Sequence, residues 1–332
     1  MANLYLTEQG SIIRKTGDRL IVQKDKEILL EVQCSKIDAV LIFGNVQFTT
    51  QALHELFEHG IEMAILTRTG RLIGQITSPA TKNIELRIEQ FKKYDDEIFK
   101  IHLSKAIVKG KIANCLNLMM MFSYNHPQIN FEEEKASIAE ALKNIDKTET
   151  LASLRGIEGS AAKTYFAGFG KMILGEFTFE GRKKHPSIDP VNALLSFGYT
   201  LVFNEILSLL DGLGFDPYLG YFHETEYGRA SLASDIQEEF RASVDRFTLY
   251  LINNRVVSPN DFYPNPKDGS MYLKREIMKK YFSEYENYLN REFKHPDTGE
   301  NTTLRKCFRK QAEKLANFIK GGNMYTPFRI EV

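Results

Sequence analysis

The chain is expected to fold as an α+β protein, with a small β-rich N-terminal domain followed by a larger all-α domain. Two changes of texture predict this. Up to residue 78 short apolar runs are separated by polar or glycine-containing pairs; after Ser78-Pro79 apolar residues recur at helical spacing with charges between them. Composition is the third observation. A chain of 332 residues with 43% hydrophobic and 26% charged residues is too apolar for disorder and ordinary for a globular protein. Folding at this length buries roughly 75% of the unfolded surface, enough for one large core or two moderate ones. The expected boundaries are 1–78 for the β-rich domain, 79–90 for a linker into the first long helix, and 91–332 for the helical domain.

Residues 4–6, 11–14, 20–23 and 28–32 read as brief strands, with pairs such as Gly17-Asp18 favouring tight hairpins. The run AVLIF at 39–43 reads as a buried strand, and 45–49 alternates as a strand should. Thr50 is the expected N-cap of a short helix that puts Leu53, Leu56 and Phe57 on one face and stops at Gly60. Strands return at 61–66 and 71–76, joined through Thr69-Gly70. In the second domain Ile84, Ile88, Phe91, Ile98 and Ile101 open a helical pattern that continues through Met121. Three more helical stretches are expected between 137 and 212, interrupted near 181–190. Loops are expected at Asp216-Pro217, 258–269 and 294–301. A last helix over 304–320 stops at Gly321-Gly322.

The 43 basic and 43 acidic residues cancel, which excludes the bulk-basic signature of many nucleic-acid binders. A polyanion would have to be bound by local patches. The three cysteines, Cys34, Cys115 and Cys307, are far apart and form neither a disulfide framework nor a CxxC zinc site. The N-terminus MANLYLTEQG lacks a basic region followed by an apolar stretch, and the run LMMMF at 118–122 is far short of the roughly 20 residues that span a bilayer. A soluble, cytoplasmic protein is the expectation.

Three segments of the helical domain place acids or histidine in unusual company. Glu158 lies among small residues in LRGIEGSAA, which would let a second helix or a ligand approach its carboxylate; the commoner role for such a residue is a solvated surface acid. His223 follows a Gly/Pro/aromatic loop in GYFHE, placed either to project a nitrogen into a cleft or to serve as a hydrogen-bonded structural histidine. In SLASDIQEEFR, Leu232, Ile236, Phe240 and Phe247 form an apolar stripe. Asp235 and Glu238 are neighbours on the side away from it, where acids are usually just solvated. Glu239 sits at the stripe edge and could pair with Arg241 or Arg246. Two carboxylates and an imidazole together suit a divalent cation such as Mg²⁺ or Mn²⁺, with open positions for phosphate and water. Glu158, His223 and Glu238 are too far apart in sequence to form a local motif.

Basic residues cluster as Arg182, Lys183 and Lys184 in the helix break, as Lys274-Arg275 and Lys279-Lys280 among aromatics, and as Arg305, Lys306, Arg309 and Lys310 on the last helix. Solvated faces would look the same, but on a neutral chain three patches suggest localised phosphate contacts. The sequence has no GxxxxGK[ST] or GxGxxG phosphate loop and no GxSxG nucleophile.

The stretches LRGIEGSAA (154–162), DPVNALLSFGY (189–199), GYFHE (220–224) and LASDIQEEFR (232–241), in this order, resemble the signature blocks of the CRISPR-associated spacer-acquisition endonuclease/integrase family, the larger subunit of the adaptation complex. The resemblance spans essentially the whole chain. It implies that Glu158, His223 and Glu238 are catalytic and hold Mg²⁺ or Mn²⁺, with Asp235 an accessory acid and His223 ligating as neutral imidazole. It implies a homodimer formed largely through the β-rich domain, two dimers bridged by a small CRISPR adaptation partner protein, and double-stranded DNA as substrate. The implied reaction is a metal-dependent transesterification in which a DNA 3′-hydroxyl attacks a phosphodiester of the CRISPR repeat. Arg182, Lys183, Lys184, Arg305 and Arg309 would contact that DNA. The competing readings are a DNA-binding scaffold with a vestigial metal site and a hydrolase of small phosphate esters, the latter disfavoured by three separate basic patches. An empty acidic cluster repels itself, so deleting one of its carboxylates is expected to leave the metal-free fold intact.

Overall fold

The computed structural model describes residues 2–68, 70–77, 83–183, 186–296 and 298–330. The chain divides into two compact units, Met1–Ala80 with Arg275–Asn287, and Thr81–Lys274 with Tyr288–Val332.

The first unit contains strands β1 (Ala2–Leu6), β2 (Ile12–Thr16), β3 (Arg19–Lys24), β4 (Glu27–Gln33), β5 (Ile37–Phe43), β6 (Gln47–Phe48), β7 (Glu62–Leu66) and β8 (Leu72–Ile76), with helix α1 (Thr50–Glu58) between β6 and β7. They form two four-stranded sheets, ordered β1-β5-β7-β8 and β4-β3-β2-β6. In the first sheet β5 pairs in parallel with β1 and β7, and parallel pairing inside a sheet explains why residues 40–43 form an unbroken buried run. In the second, β2 and β3 pair antiparallel with Ile13 opposite Val22, and both side chains face the core. Ala52 and Leu56 of α1 complete that core with Leu20 and Val40. The helix begins one residue earlier than its sequence suggests. Thr49, not Thr50, is the N-cap, and its side chain accepts from the Ala52 N–H at 3.2 Å. Gly60, at φ +65°, ends it as expected.

Residues 275–287 also group with this unit. The rings of Tyr5 and Phe282 stack at 4.2 Å, and the Tyr5 hydroxyl donates to Glu286 at 2.6 Å. From sequence these residues belong to the helical domain, because a contact across 281 positions leaves no local periodicity.

The second unit is built on α2 (Ile84–Tyr94), α3 (Glu97–Asn125), α4 (Glu132–Ile145), α5 (Leu151–Lys171), α6 (Pro190–Leu213), α7 (Ser231–Glu238) and α8 (Arg241–Asn253). It also holds the hairpin of β9 (Phe262–Pro264) and β10 (Met271–Leu273), the hairpin of β11 (Glu292–Lys294) and β12 (Asn301–Thr303), and α10 (Leu304–Ile319), while between the two hairpins helix α9 (Arg275–Asn290) belongs to the first unit up to residue 287. Both short hairpins fall in or beside segments expected to be loops. The expected linker is mostly helix α2, and its residues 79–82 lie outside the described residues.

Side-chain caps fix several helix starts. Asp96, Thr150, Asp189 and Thr303 accept from the N–H three residues ahead, at 2.9, 3.2, 2.8 and 3.3 Å. Pro190 follows Asp189 in the first turn of α6, where the missing N–H costs nothing. Helix α6 is long and apolar enough to cross a membrane by length and composition, a feature missed when LMMMF is taken as the most apolar run. More than half of its apolar window, 56%, is buried within the protein, as befits the central helix of a folded domain. The chain end packs against α3. Asn114 donates to the carbonyls of Glu239 and Phe328 at 2.8 and 2.9 Å and accepts from the Ile330 N–H at 2.9 Å. Gly110 is required there, since a Cβ would lie 2.5 Å from Pro327.

Candidate metal centre

Helix α7 was expected to show water one polar face. Instead every residue of it but the half-buried Ser234 is buried: Asp235, Gln237 and Glu238 are 0, 4 and 3% exposed. Buried acids must find partners, and those partners organise the site.

Asp235 builds the histidine turn. Its carboxylate accepts from the backbone N–H groups of Tyr221, Phe222 and His223 at 2.6, 3.0 and 2.9 Å, and from His223 Nδ1 at 2.7 Å. The loop can approach so closely because residue 220 is glycine. A Cβ there would lie 2.6 Å from Ser231 Cβ and 3.0 Å from the Asp235 carboxylate. An ionised carboxylate only accepts, so Nδ1 carries the proton and Nε2 keeps its lone pair. Nε2 lies 4.0 Å from Glu238 Oε1.

Glu238 is held from two sides. Arg241 Nε donates to its Oε1 at 2.7 Å, and the Lys111 ammonium from α3 meets its Oε2, which makes no hydrogen bond of ordinary geometry. The same ammonium meets Glu158 Oε1. Burial alone would raise the Glu238 carboxyl, but Arg241, Lys111 and His223 outweigh it and hold the group well below the usual carboxylate range. Burial likewise works against the Lys111 charge, and the two glutamates outweigh it, raising the ammonium above its ordinary value. The expected self-repelling acidic cluster is therefore absent. Two cations neutralise Glu158 and Glu238, because a buried unpaired carboxylate would be far more costly.

Glu158 projects from α5 with its side chain 20% exposed. A Cβ at Gly156 or Gly159 would meet nothing within 4 Å, so no second helix crosses there. The small residues instead leave one side of the carboxylate open. Glu158, His223, Glu238, Lys111 and Arg241 all line one cavity of about 520 Å³, together with Arg182, Tyr199 and Asp245. Glu239 lies apart, fully buried, accepting from Tyr325 Oη, from Gln311 Nε2 at 2.8 Å and from the Phe328 N–H at 2.7 Å. Neither Arg241 nor Arg246 is among these hydrogen-bond donors; Arg241 pairs with Glu238.

The donor set of two carboxylates and one imidazole nitrogen, with room for a substrate beside it, suits by its chemistry a hard to intermediate divalent cation such as Mg²⁺ or Mn²⁺. Among the described residues, the group whose three donor atoms all lie within 4.8 Å of one another is Cys34, Glu55 and His59, in the other unit; the donor atoms of Glu158, His223 and Glu238 are spread more widely. Lys15 already pairs with Glu55, and His59 Nδ1 lies 3.0 Å from a backbone carbonyl oxygen, so this group suits a cation less well.

The family model described as CRISPR associated protein Cas1 matches residues 4–287. The chain belongs to the Cas1 family. A CRISPR-associated endonuclease Cas1 of Thermus thermophilus is 34% identical over 331 residues, covering 98% of this chain and 97% of the relative. Among solved structures, a casposase bound to integration product superposes with a TM-score of 0.87 at 23% identity, covering 100% of this chain and 96% of that one. A chain of a Cas6-RT-Cas1–Cas2 complex gives 0.82 at 26% identity, covering 100% of this chain and 36% of that longer one.

In this Cas1 chain Lys111, Arg241 and Asp245 line the same cavity without having stood out in the sequence as site residues. Lys111 is one basic residue in the pattern of a long helix, and nothing local sets it apart. Arg241 stands three residues after Glu238, a helical-neighbour spacing that could have flagged it. Asp245, 1% exposed, accepts from the hydroxyls of Tyr165 (2.8 Å) and Tyr199. Arg241 and Arg182 lie over the Tyr199 ring at 4.6 and 5.4 Å from its centroid. Burial pushes the Asp245 carboxyl up to about 6, although both tyrosines and both arginines pull the other way. A raised carboxyl binds its proton more tightly when folded. Its contribution to stability is therefore greatest below the ordinary range, is lost as pH rises from about 4 to about 6, and is constant above. Thermal melts of wild type and Asp245→Asn should diverge over that window, with the wild type losing ground as pH rises. Parallel curves from pH 4 to 7 would contradict this.

The proposed DNA contacts differ in surroundings. Arg182 donates to Asn192 Oδ1 at 2.8 Å and Ser196 Oγ at 3.0 Å while lining the cavity. Lys183 pairs with Glu180 at 2.9 Å on the surface. Lys184 lies outside the described residues. Arg305 is bound through two nitrogens to Glu205, at 3.0 and 3.2 Å, with its side chain 15% exposed. Arg309 is exposed and pairs one turn along its own helix, with Glu313 at 2.9 Å.

Proposed function

We propose that this protein is a metal-dependent DNA endonuclease/integrase that inserts foreign DNA fragments into a CRISPR array by transesterification. The observation that carries the reading is the convergence of Glu158, His223 and Glu238, from three separate segments, on one cavity that two arginines also line. Glu158, His223 Nε2 and Glu238 would hold Mg²⁺ or Mn²⁺, which when bound supplies charge neutralisation at the reacting phosphodiester. Asp235 keeps the His223 lone pair available. Arg241 and Arg182 supply fixed positive charge on the cavity wall, where a five-coordinate phosphorus gains negative charge. Membership of the Cas1 family, and likeness to a casposase bound to integration product, support a DNA-joining activity.

In this reading the protein works as a cytoplasmic homodimer, paired largely through the β-rich unit, with a small adaptation partner bridging two dimers over double-stranded DNA. A relative solved within a Cas1–Cas2 assembly supports the partner. Light scattering should give twice the 38.1 kDa protomer mass; a clean protomer mass at micromolar concentration would count against it. The deciding experiment is transfer of a labelled duplex into a repeat-containing plasmid, with and without Mn²⁺ and the partner protein. Products are expected only with metal. DNA binding with no metal-dependent cleavage or joining would favour a scaffold.

The ion pairs refine the DNA-contact expectation. Arg309→Ala should weaken duplex binding and lower the slope of log K against log salt by about 1, the value for one lost phosphate contact. Arg305→Ala should leave the slope unchanged, because Glu205 already neutralises that guanidinium. Equal slopes for Arg309→Ala and wild type would move the DNA path off α10, with Arg182 and Lys183 the next residues to change.

A further inference from the structure

We propose that Lys111 is a tethered stand-in for the metal: its ammonium holds Glu158 and Glu238 together in the metal-free protein, and a divalent cation must expel it into the cavity to bind. This deepens the metal-dependent reading and rests on it.

The ammonium sits between Glu158 Oε1 and Glu238 Oε2, carboxylates of two of the three proposed ligands, with its side chain only 13% exposed. That is the role a cation would otherwise fill. Lys111 and Arg241 together balance the charges of Glu158 and Glu238, so the metal-free site is neutral across these four groups and can stay buried. A divalent cation held by the same two oxygens could not tolerate an ammonium between them, because the two positive charges would repel at close range. Lysine suits an exchange of this kind. Its charge is compact and rides on a flexible four-carbon stem, whereas Arg241 is fixed by its bond to Glu238 and its position over Tyr199. The space to receive it is present, since Lys111 lines the cavity of about 520 Å³. Once displaced, the ammonium would join Arg182 and Arg241 on the wall that faces phosphate, adding a positive charge only when metal is bound.

The consequence is an opposition between metal affinity and metal-free stability. While Lys111 occupies the carboxylates, only a fraction of molecules is open to the cation, and the apparent affinity falls by that fraction. Lys111→Met keeps the volume of the stem and removes the charge. In the full-length protein it should bind Mn²⁺, followed by electron paramagnetic resonance of the free ion, about tenfold or more tightly than wild type. It should melt several degrees below wild type in EDTA, and the gap should close in Mn²⁺.

Labelling of unmutated protein does not depend on a variant folding. Modification of Lys111 by a small amine-reactive reagent, read by mass spectrometry, should be several-fold faster in Mg²⁺ than in EDTA, with surface lysines as the internal reference. Wild-type Mn²⁺ binding with unchanged or weaker binding by Lys111→Met, or with Lys111 labelling equal in the two conditions, would overturn the stand-in role and leave the metal site standing. Failure of wild type to bind Mn²⁺ at all would instead overturn both.

Discussion

Glu238→Ala is expected to abolish metal-dependent joining and also to melt far below the wild type. The first effect follows from removing a ligand of the proposed metal. Changing groups that merely support ligands costs about 10–100-fold, and loss of a ligand should cost more, leaving well under a hundredth of the rate. The second effect reverses what the sequence suggests. Glu238 is 3% exposed and ion-paired with both Lys111 and Arg241, so its removal strands the Arg241 guanidinium in the interior and leaves Lys111 only the more exposed Glu158. Breaking a buried pair in this way costs about 3–5 kcal/mol. Glu158→Ala should lose joining with a smaller drop in melting temperature, because its more exposed carboxylate leaves Lys111 with Glu238 as a partner. His223→Ala should also lose joining. Glu239→Ala separates the two effects. It removes the acceptor for Tyr325, Gln311 and Phe328 and should lower stability, yet it keeps the chemistry. Strand transfer in Mn²⁺ beside thermal melts in EDTA reads both quantities. Wild-type joining by all three triad variants would end the metal-integrase mechanism, and joining by Glu238→Ala but not Glu239→Ala would move the third ligand by one residue.

The α+β division was legible because it rests on local periodicity and punctuation. Alternation and Gly17-Asp18 mark the hairpins, while Asp189-Pro190 and Gly321 mark helix ends through effects confined to a turn or two. The grouping of residues 275–287 with the β-rich unit was not legible, since it depends on a Tyr5–Phe282 stack between residues far apart in the chain. The site divides along the same line. Its three proposed ligands could be named because four ordered blocks resemble those of a family. Their electrostatic setting could not, because Lys111 reaches them from α3, 47 residues from Glu158. The helical wheel of α7 misled for a related reason. It correctly separates Asp235 and Glu238 from the Leu232/Ile236/Phe240 stripe, but a wheel assumes that the far side of a helix meets water. Here that side meets the histidine turn and two cations, so a face that looked solvated is buried and fully paired.

Asp235 carries the second large expected effect, and it acts through His223. Four donors converge on its two oxygens: Oδ2 takes the N–H groups of Tyr221 and Phe222, and Oδ1 takes the His223 N–H and Nδ1. Asp235→Ala leaves these donors buried without an acceptor. At about 1–3 kcal/mol for each unsatisfied group, the loss of stability should reach several kcal/mol even after water or local relaxation recovers part of it. Asp235→Asn tests the chemistry more finely, since it keeps the shape but replaces one acceptor oxygen with an NH₂ donor. If the amide nitrogen takes the place of Oδ1, the His223 backbone N–H loses its acceptor, Nδ1 meets a donor, and the imidazole must place its proton on Nε2. The lone pair then points away from Glu238, and the nitrogen proposed to hold metal cannot do so. If it faces the other way, it meets the N–H groups of Tyr221 and Phe222, and the turn must open. Either orientation should weaken Mn²⁺ binding by about 10–100-fold and lower joining with it. Titration with Mn²⁺ and ring-nitrogen NMR of His223 would separate the two cases, a proton on Nε2 marking the first. Wild-type Mn²⁺ affinity in Asp235→Asn, with the Nδ1–H tautomer retained, would show that Asp235 shapes the loop without controlling the ligand nitrogen.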